Sequence, residues 1–232
     1  MGKLVTLVRA SDGLSAADFA RRWREEWLTA MTAFPAIGDR LVRAVHNHAL
    51  PGSIRAEEGV AASGWSGVGT YVFDDPAFVD ALALDPGFRA AHGQLGLFAK
   101  LVLLPVDEIW IYNRDPSQLP VKMFAFFKRK PHLSREAAQA YYRTTHADIG
   151  ESINFNRTLR YVQNHVRPSF KSPDPRYDFD AGPEIWFKSM ETALDLFNDT
   201  QAMQVLAEDE ERFVVRSEIM NLLTDEKVVW ER

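Results

Sequence analysis

The feature that most constrains the fold of this chain is that it is written twice. Strand and helix signals recur in the same order after about 118 residues, as from Asp107 to Asp225. In the first half Leu4–Val8 reads as a strand, and Ser15-Ala-Ala-Asp18 is a capping box for a helix reaching about residue 33, with Phe19, Trp23 and Trp27 on one face. Leu41–His48 and Trp65–Phe73 read as strands, Pro76 opens a helical region, and Val106–Tyr112 closes the unit. The second half repeats this: strand Val121–Lys128, a helix capped by Ser134, strands Thr158–Val166 and Pro183–Ser189, a helical region Glu191–Glu211 and strand Lys227–Trp230. Lys3 aligns with Lys122, Trp23 with Tyr142, Trp27 with His146, and Asn47-His48 with Asn164-His165. No solenoid repeat is this long, so a whole domain has been duplicated.

A βαββαβ unit makes a four-stranded antiparallel sheet with both helices on one face, the ferredoxin-like arrangement. The expected fold is therefore α+β, with one unit over residues 1–112 and a second over 120–232. Residues 113–119 form a polar, proline-bearing linker, and the Gly/Ala/Ser-rich run ending at Gly64 is a loop. A bare sheet face has to be covered, and two such sheets in one chain can cover each other as an intrachain pseudo-dimer.

Composition removes several classes of function. Of the 232 residues 46% are hydrophobic and 25% charged, enough for proper cores. The net charge of −5, with no basic cluster interleaved with aromatics, argues against nucleic acid as a partner. Without cysteine there are no disulfides, thiolate nucleophiles or Fe–S clusters, and a reducing cytoplasm fits. No apolar run has the length of a membrane span or a secretory signal, so a cytoplasmic protein with no membrane partner is expected.

The chemistry is concentrated between Tyr141 and His165. Tyr142 and His146 are four apart and share a helical face, while strand alternation places Tyr161, Gln163 and His165 on one side of the sheet. With a tyrosine as donor and a histidine as base, such a site could remove a proton alpha to a carbonyl or phenol. The structural alternative is that His146 bonds a neighbouring loop and His165 caps its strand. Asp180 and Glu184, beside Trp186, could orient a histidine, or could pair with Arg160 and Arg167. His46-x-His48 would point two imidazoles the same way and is the best, though weak, metal candidate; no carboxylate completes it at a recognisable spacing. His92 and His132 lie in turn-like surroundings and are expected to be exposed.

Tyr161-Val-Gln-Asn-His165 after a helix ending in His146, followed by Asp180-Ala-Gly-Pro-Glu184-Ile-Trp186-Phe187, resembles the EthD family of dimeric α+β barrel proteins. The resemblance is good over the second half and weak over the first, where Trp27 replaces the histidine; Asp148 stands where the family pattern usually has proline. It implies an intrachain dimeric α+β barrel whose complete site lies in the second half, with His146, His165 and Tyr142 catalytic and Tyr161, Gln163, Asp180, Glu184 and Trp186 binding substrate. It further implies a cofactor-independent enzyme of lyase, isomerase, decarboxylase or cofactor-free oxygenase type, acting on a small hydrophobic carbonyl or aromatic metabolite in a degradative or tailoring pathway. Homodimerisation is compatible with this but not required. The alternatives are a haem oxidoreductase like the chlorite dismutases and dye-decolorising peroxidases, which duplicate the same fold, and a non-catalytic binding or accessory protein.

Overall fold

The computed structural model describes residues 1–50, 64–115, 117, 120–154 and 156–232. The Gly/Ala/Ser-rich run before Gly64 and part of the expected linker lie outside the described residues. The first half is built from strands β1 (Gly2–Ala10), β2 (Leu41–Ala49), β3 (Gly67–Phe73) and β4 (Phe98–Asn113), with helices α1 (Ala16–Thr32), α2 (Pro35–Gly38), α3 (Pro76–Leu84) and α4 (Pro86–Gln94). The second has β5 (Val121–Phe126), β6 (Thr158–Val166), β7 (Ala181–Phe187) and β8 (Met220–Glu231), with α5 (Arg135–Tyr141), α6 (Ala147–Asn154), α7 (Met190–Asn198) and α8 (Thr200–Glu210). All the strand pairs are antiparallel, in the order β4-β1-β3-β2 in the first half and β8-β5-β7-β6 in the second. This is the expected fold class, two ferredoxin-like units making the dimeric α+β barrel class within one chain.

The repeat extends to irregularities. β2 slips register against β3 between Leu41 and Arg43, and β6 slips against β7 at the equivalent Thr158 and Arg160. Each helical region expected as one piece is broken in two by an aspartate. Asp85 accepts from the Phe88 N–H at 2.7 Å to start α4, and Asp199 accepts from the Ala202 N–H at 3.0 Å to start α8. Ser15 and Ser134 cap α1 and α5 as read from the sequence.

The closing strands are longer than expected. By contacts the chain divides into one unit of Met1–Ala49, Gly64–Asp107 and Glu226–Arg232, and another that includes Glu108–Asp225. β4 thus pairs with β1 through Lys3↔Val106 in the first unit, and its remainder belongs to the second, where the Arg114 N–H donates to the Leu159 carbonyl. β8 pairs with β5 in the second unit, and its tail belongs to the first, where the Arg232 N–H donates to the Val42 carbonyl. The unexpected part is the earlier, more buried stretch of each strand, residues 98–105 and 220–226; the more exposed tails coincide with the expected Val106–Tyr112 and Lys227–Trp230.

Candidate active site

Between α5 and α6 the helix widens into one π turn, Tyr142–His146, a distortion that recurs at functional sites. Tyr142 is buried, with its ring edge-on to Phe127 at 5.0 Å and 5.3 Å from the His146 ring. His146 packs against Phe213 at 5.2 Å, and its Nδ1 lies 2.7 Å from Oδ2 of Asp209, near the end of α8. The other Asp209 oxygen accepts from the Tyr141 hydroxyl at 2.6 Å. Burial works to raise the pKa of Asp209, but the hydrogen bonds from His146 and Tyr141 outweigh it, and the pKa falls below the ordinary carboxylate value. An ionised Asp209 accepts Nδ1–H, which leaves the lone pair of a neutral His146 on Nε2.

His146 lines a cavity of about 80 Å³. Its floor is the helix-facing side of the second unit's sheet, where the small Ala125 and Pro183 lie beside Met123, Ile185 and Tyr161. Leu196, Phe197, Leu206, Phe213 and Val214 make the walls apolar. Three lining residues carry buried polar atoms with no hydrogen-bond partner among the described residues: the Tyr142 hydroxyl, Asn154 Oδ1 and Asn221 Nδ2. Burial, and then the adjacent Tyr161 phenol, hold the Tyr142 pKa well above the ordinary phenol value. Tyr142 is thus a proton-bearing donor, not a base.

Residues 130–217, which carry the helix, the histidine pair and Asp209, match the family model described as the EthD domain. This segment is an EthD domain. No curated protein sequence matches the chain significantly. Among solved structures, an anthrone oxidase-like protein superposes with a TM-score of 0.64 at 7% identity, covering 99% of this chain and 94% of the other. A mutant chlorite dismutase from Candidatus Nitrospira defluvii gives 0.55 at 11% identity, covering 98% and 92%. At these identities the likeness is one of fold. Among the described residues no helix is long and apolar enough to cross a membrane.

Within the EthD domain the expected site residues separate into three groups. Tyr142, His146 and Tyr161 line the cavity together. Gln163 and His165 stand behind them: Gln163 Nε2 donates to the Tyr142 carbonyl at 2.8 Å and to the Tyr161 hydroxyl at 2.7 Å, and its Oε1 accepts from His165 Nε2 at 2.8 Å. His165 is not among the lining residues, because the Tyr142 ring lies across it at 5.7 Å. Asp180, Glu184 and Trp186 are elsewhere. Asp180 is clamped by Arg129 and Arg135 at 2.5 and 2.7 Å. Glu184 and Trp186 alternate with Pro183 and Ile185, so they point away from the cavity, and Glu184 is paired with Lys122 at 2.5 Å. Arg160, expected from the sequence as a carboxylate partner, donates to the backbone carbonyls of Asp115 and Ser117.

Asp209, Asn154, Asn221 and Phe213 were not singled out from the sequence. A signal for Asp209 existed: it stands in α8 as His92 stands in α4, and His92 partners Trp27 just as Asp209 partners His146. His92 is consequently buried rather than exposed, whereas His132 is exposed as expected. In the first unit Trp23, Trp27 and Tyr71 pack around His46, with Trp23 stacked on it at 4.1 Å. No group of three potential metal-ligating His, Cys, Asp or Glu side chains forms among the described residues, so His46 and His48 gain no third ligand.

Proposed function

We propose that the EthD domain is a cofactor-independent acid–base catalyst acting on a small carbonyl or phenolic compound. The observation that carries this is the His146–Asp209 pair at 2.7 Å on the edge of an apolar cavity that also holds the buried Tyr142 hydroxyl. His146 Nε2 takes the proton from a carbon alpha to the carbonyl, and the C–H electron pair moves into the enolate. Its oxygen accepts the Tyr142 hydrogen bond, worth more in this water-poor site than in water. Returning the proton to another atom completes an isomerisation, and expelling a leaving group beta to the carbonyl, which departs with its electron pair, completes a lyase step. In a decarboxylation the enolate would instead arise by loss of CO2, and His146 would return a proton to it. Asp209 fixes the tautomer and stabilises the imidazolium. Anthrones, after which one structural neighbour is named, are carbon acids of this kind. Three fused rings exceed the present cavity, and so does one, since benzene takes an apolar cavity of about 150 Å³, so binding a ring requires the walls to move apart. The half-buried Phe197 and Leu206 are the walls with room to move.

The test is deuterium exchange into the methyl group of acetophenone in D2O, followed by NMR with the intact chain. His146→Ala should slow exchange about 100-fold or more, the usual contribution of a positioned base. Equal exchange by the variant and the parent protein would overturn the reading.

A further inference from the structure

Asn154 Oδ1 and Asn221 Nδ2 are buried, unpartnered among the described residues, and on the same cavity. Buried amide atoms are almost always paired, because leaving one unpaired forfeits its hydration without return. Two in one apolar cavity point to what the cavity is built to hold.

The two amides stand at opposite margins of the floor. Asn221 lies on β8 opposite Ala125 of β5. Asn154 ends α6, where its own carbonyl accepts from the Thr158 hydroxyl at the start of β6 at 3.2 Å. β5 and β7 lie between β8 and β6. Three steps of about 4.8 Å across the sheet, and the four residues from the level of Asn221 at Ala125 to that of Thr158 at Val121, about 13 Å along the strands, put the two backbone positions roughly 19 Å apart, less whatever the side chains span. Ala125, Met123, Pro183 and Ile185 fill that interval and offer no polar side-chain atom. The amide senses are complementary: Asn154 presents an acceptor and Asn221 a donor.

We infer that the ligand is a single-ring hydroxy-ketone with its two oxygens at opposite ends, the hydroxyl donating to Asn154 Oδ1 and the carbonyl accepting from Asn221 Nδ2. This deepens the reading above and rests on the same cavity being the reactive site. The carbonyl's second lone pair remains for the Tyr142 hydroxyl, so one residue selects the substrate while another supports the developing enolate. The two margins select against rings carrying only one of the two groups, as sites built to hydrogen-bond a hydroxyl do.

The test is binding to the intact chain, by calorimetry, of 4-hydroxyacetophenone, acetophenone and 4-ethylphenol. The first should bind at least about 10-fold more tightly than either of the others. Asn154→Leu should abolish its advantage over acetophenone, and Asn221→Leu its advantage over 4-ethylphenol. Asn154→Asp keeps the acceptor and the volume and should retain the preference, which separates recognition from a folding defect. Equal affinities for the three probes, no binding of any, or a preference that survives both leucine variants would overturn the inference and leave the amides to ordered water. If the preference holds while exchange is indifferent to His146→Ala, recognition stands and the acid–base reading falls.

Discussion

Trp27 donates its indole N–H to His92 Nε2 at 2.9 Å, in the place where His146 meets Asp209 at 2.7 Å in the other unit. The same helix-to-helix bridge therefore survives in both copies with different chemistry. In one it joins two rings inside an aromatic cluster; in the other it joins an imidazole to a carboxylate beside empty space. What divides the two copies is volume. Trp23 and Tyr71 occupy what Tyr142 and Ile185 leave open.

Asp209→Asn should retain the Tyr141 contact while losing the charge that fixes the His146 tautomer. Turnover or exchange should fall by about 100-fold or more, with binding of a neutral ligand little changed. The pKa of Asp209 is lowered in the folded protein, so its stabilisation is present above the ordinary carboxylate range and disappears as pH falls through the folded value. Melting temperatures of Asp209→Asn and the parent protein should therefore converge at low pH; a constant gap would contradict the charge argument.

The first unit should make the protein acid-labile. Burial, offset only partly by the Phe88 carbonyl, lowers the His92 pKa to about 4, and burial drives that of His46 well down. The unfolded chain takes up a proton on each near pH 6.5, and the folded chain does not until lower pH. Their contribution is complete above 6.5 and is lost on acidification; for His92 this amounts to about 3 kcal/mol between 6.5 and about 4. Urea titrations across that range should show the slope, and His92→Gln, which keeps an acceptor for Trp27, should flatten it.

Gly67 lets the first unit close its space. A Cβ there would come within 2.6 Å of the Asn47 carbonyl oxygen and 2.7 Å of the Trp23 ring. Gly67→Ala should cost about 1–3 kcal/mol, as overpacking does, whereas the position paired with His165 in the second unit is already Ala181. Trp27→His should create no second centre, because Trp23 and Tyr71 still fill the space. Exchange activity for Trp27→His in a chain also carrying His146→Ala would disprove this.

Much of the fold was legible because it rests on local signals: capping serines, alternation along the strands, and two copies that check each other. The site was legible where its parts are close in sequence. Tyr142 and His146 share a helical turn, and Tyr161, Gln163 and His165 share a strand face. Asp209 and Asn221 reach the cavity only through tertiary packing, across a separation no periodicity spans. Glu184 misled for a physical reason. A carboxylate near two histidines invites a catalytic reading, but period-two alternation turns it to the side of Lys122, and the apolar Pro183 and Ile185 mark the cavity side.

Glu184 supplies the sharpest separation of structure from function. Its Oε2 meets Lys122 Nζ at 2.5 Å with both side chains 2% exposed, its Oε1 accepts from Asn164 at 3.0 Å, and the ammonium lies 4.2 Å from the Trp186 ring. Glu184→Gln leaves a buried ammonium without its carboxylate, which should cost about 3–5 kcal/mol. Replacing both partners, as Lys122→Met with Glu184→Leu, should recover most of that loss, since the pair itself offsets its own desolvation only roughly. Neither change alters the cavity, so exchange per folded molecule should match the parent protein at temperatures where the variants remain folded. Loss of exchange at an unchanged melting temperature would instead return Glu184 to the reactive site and require β7 to present its other face.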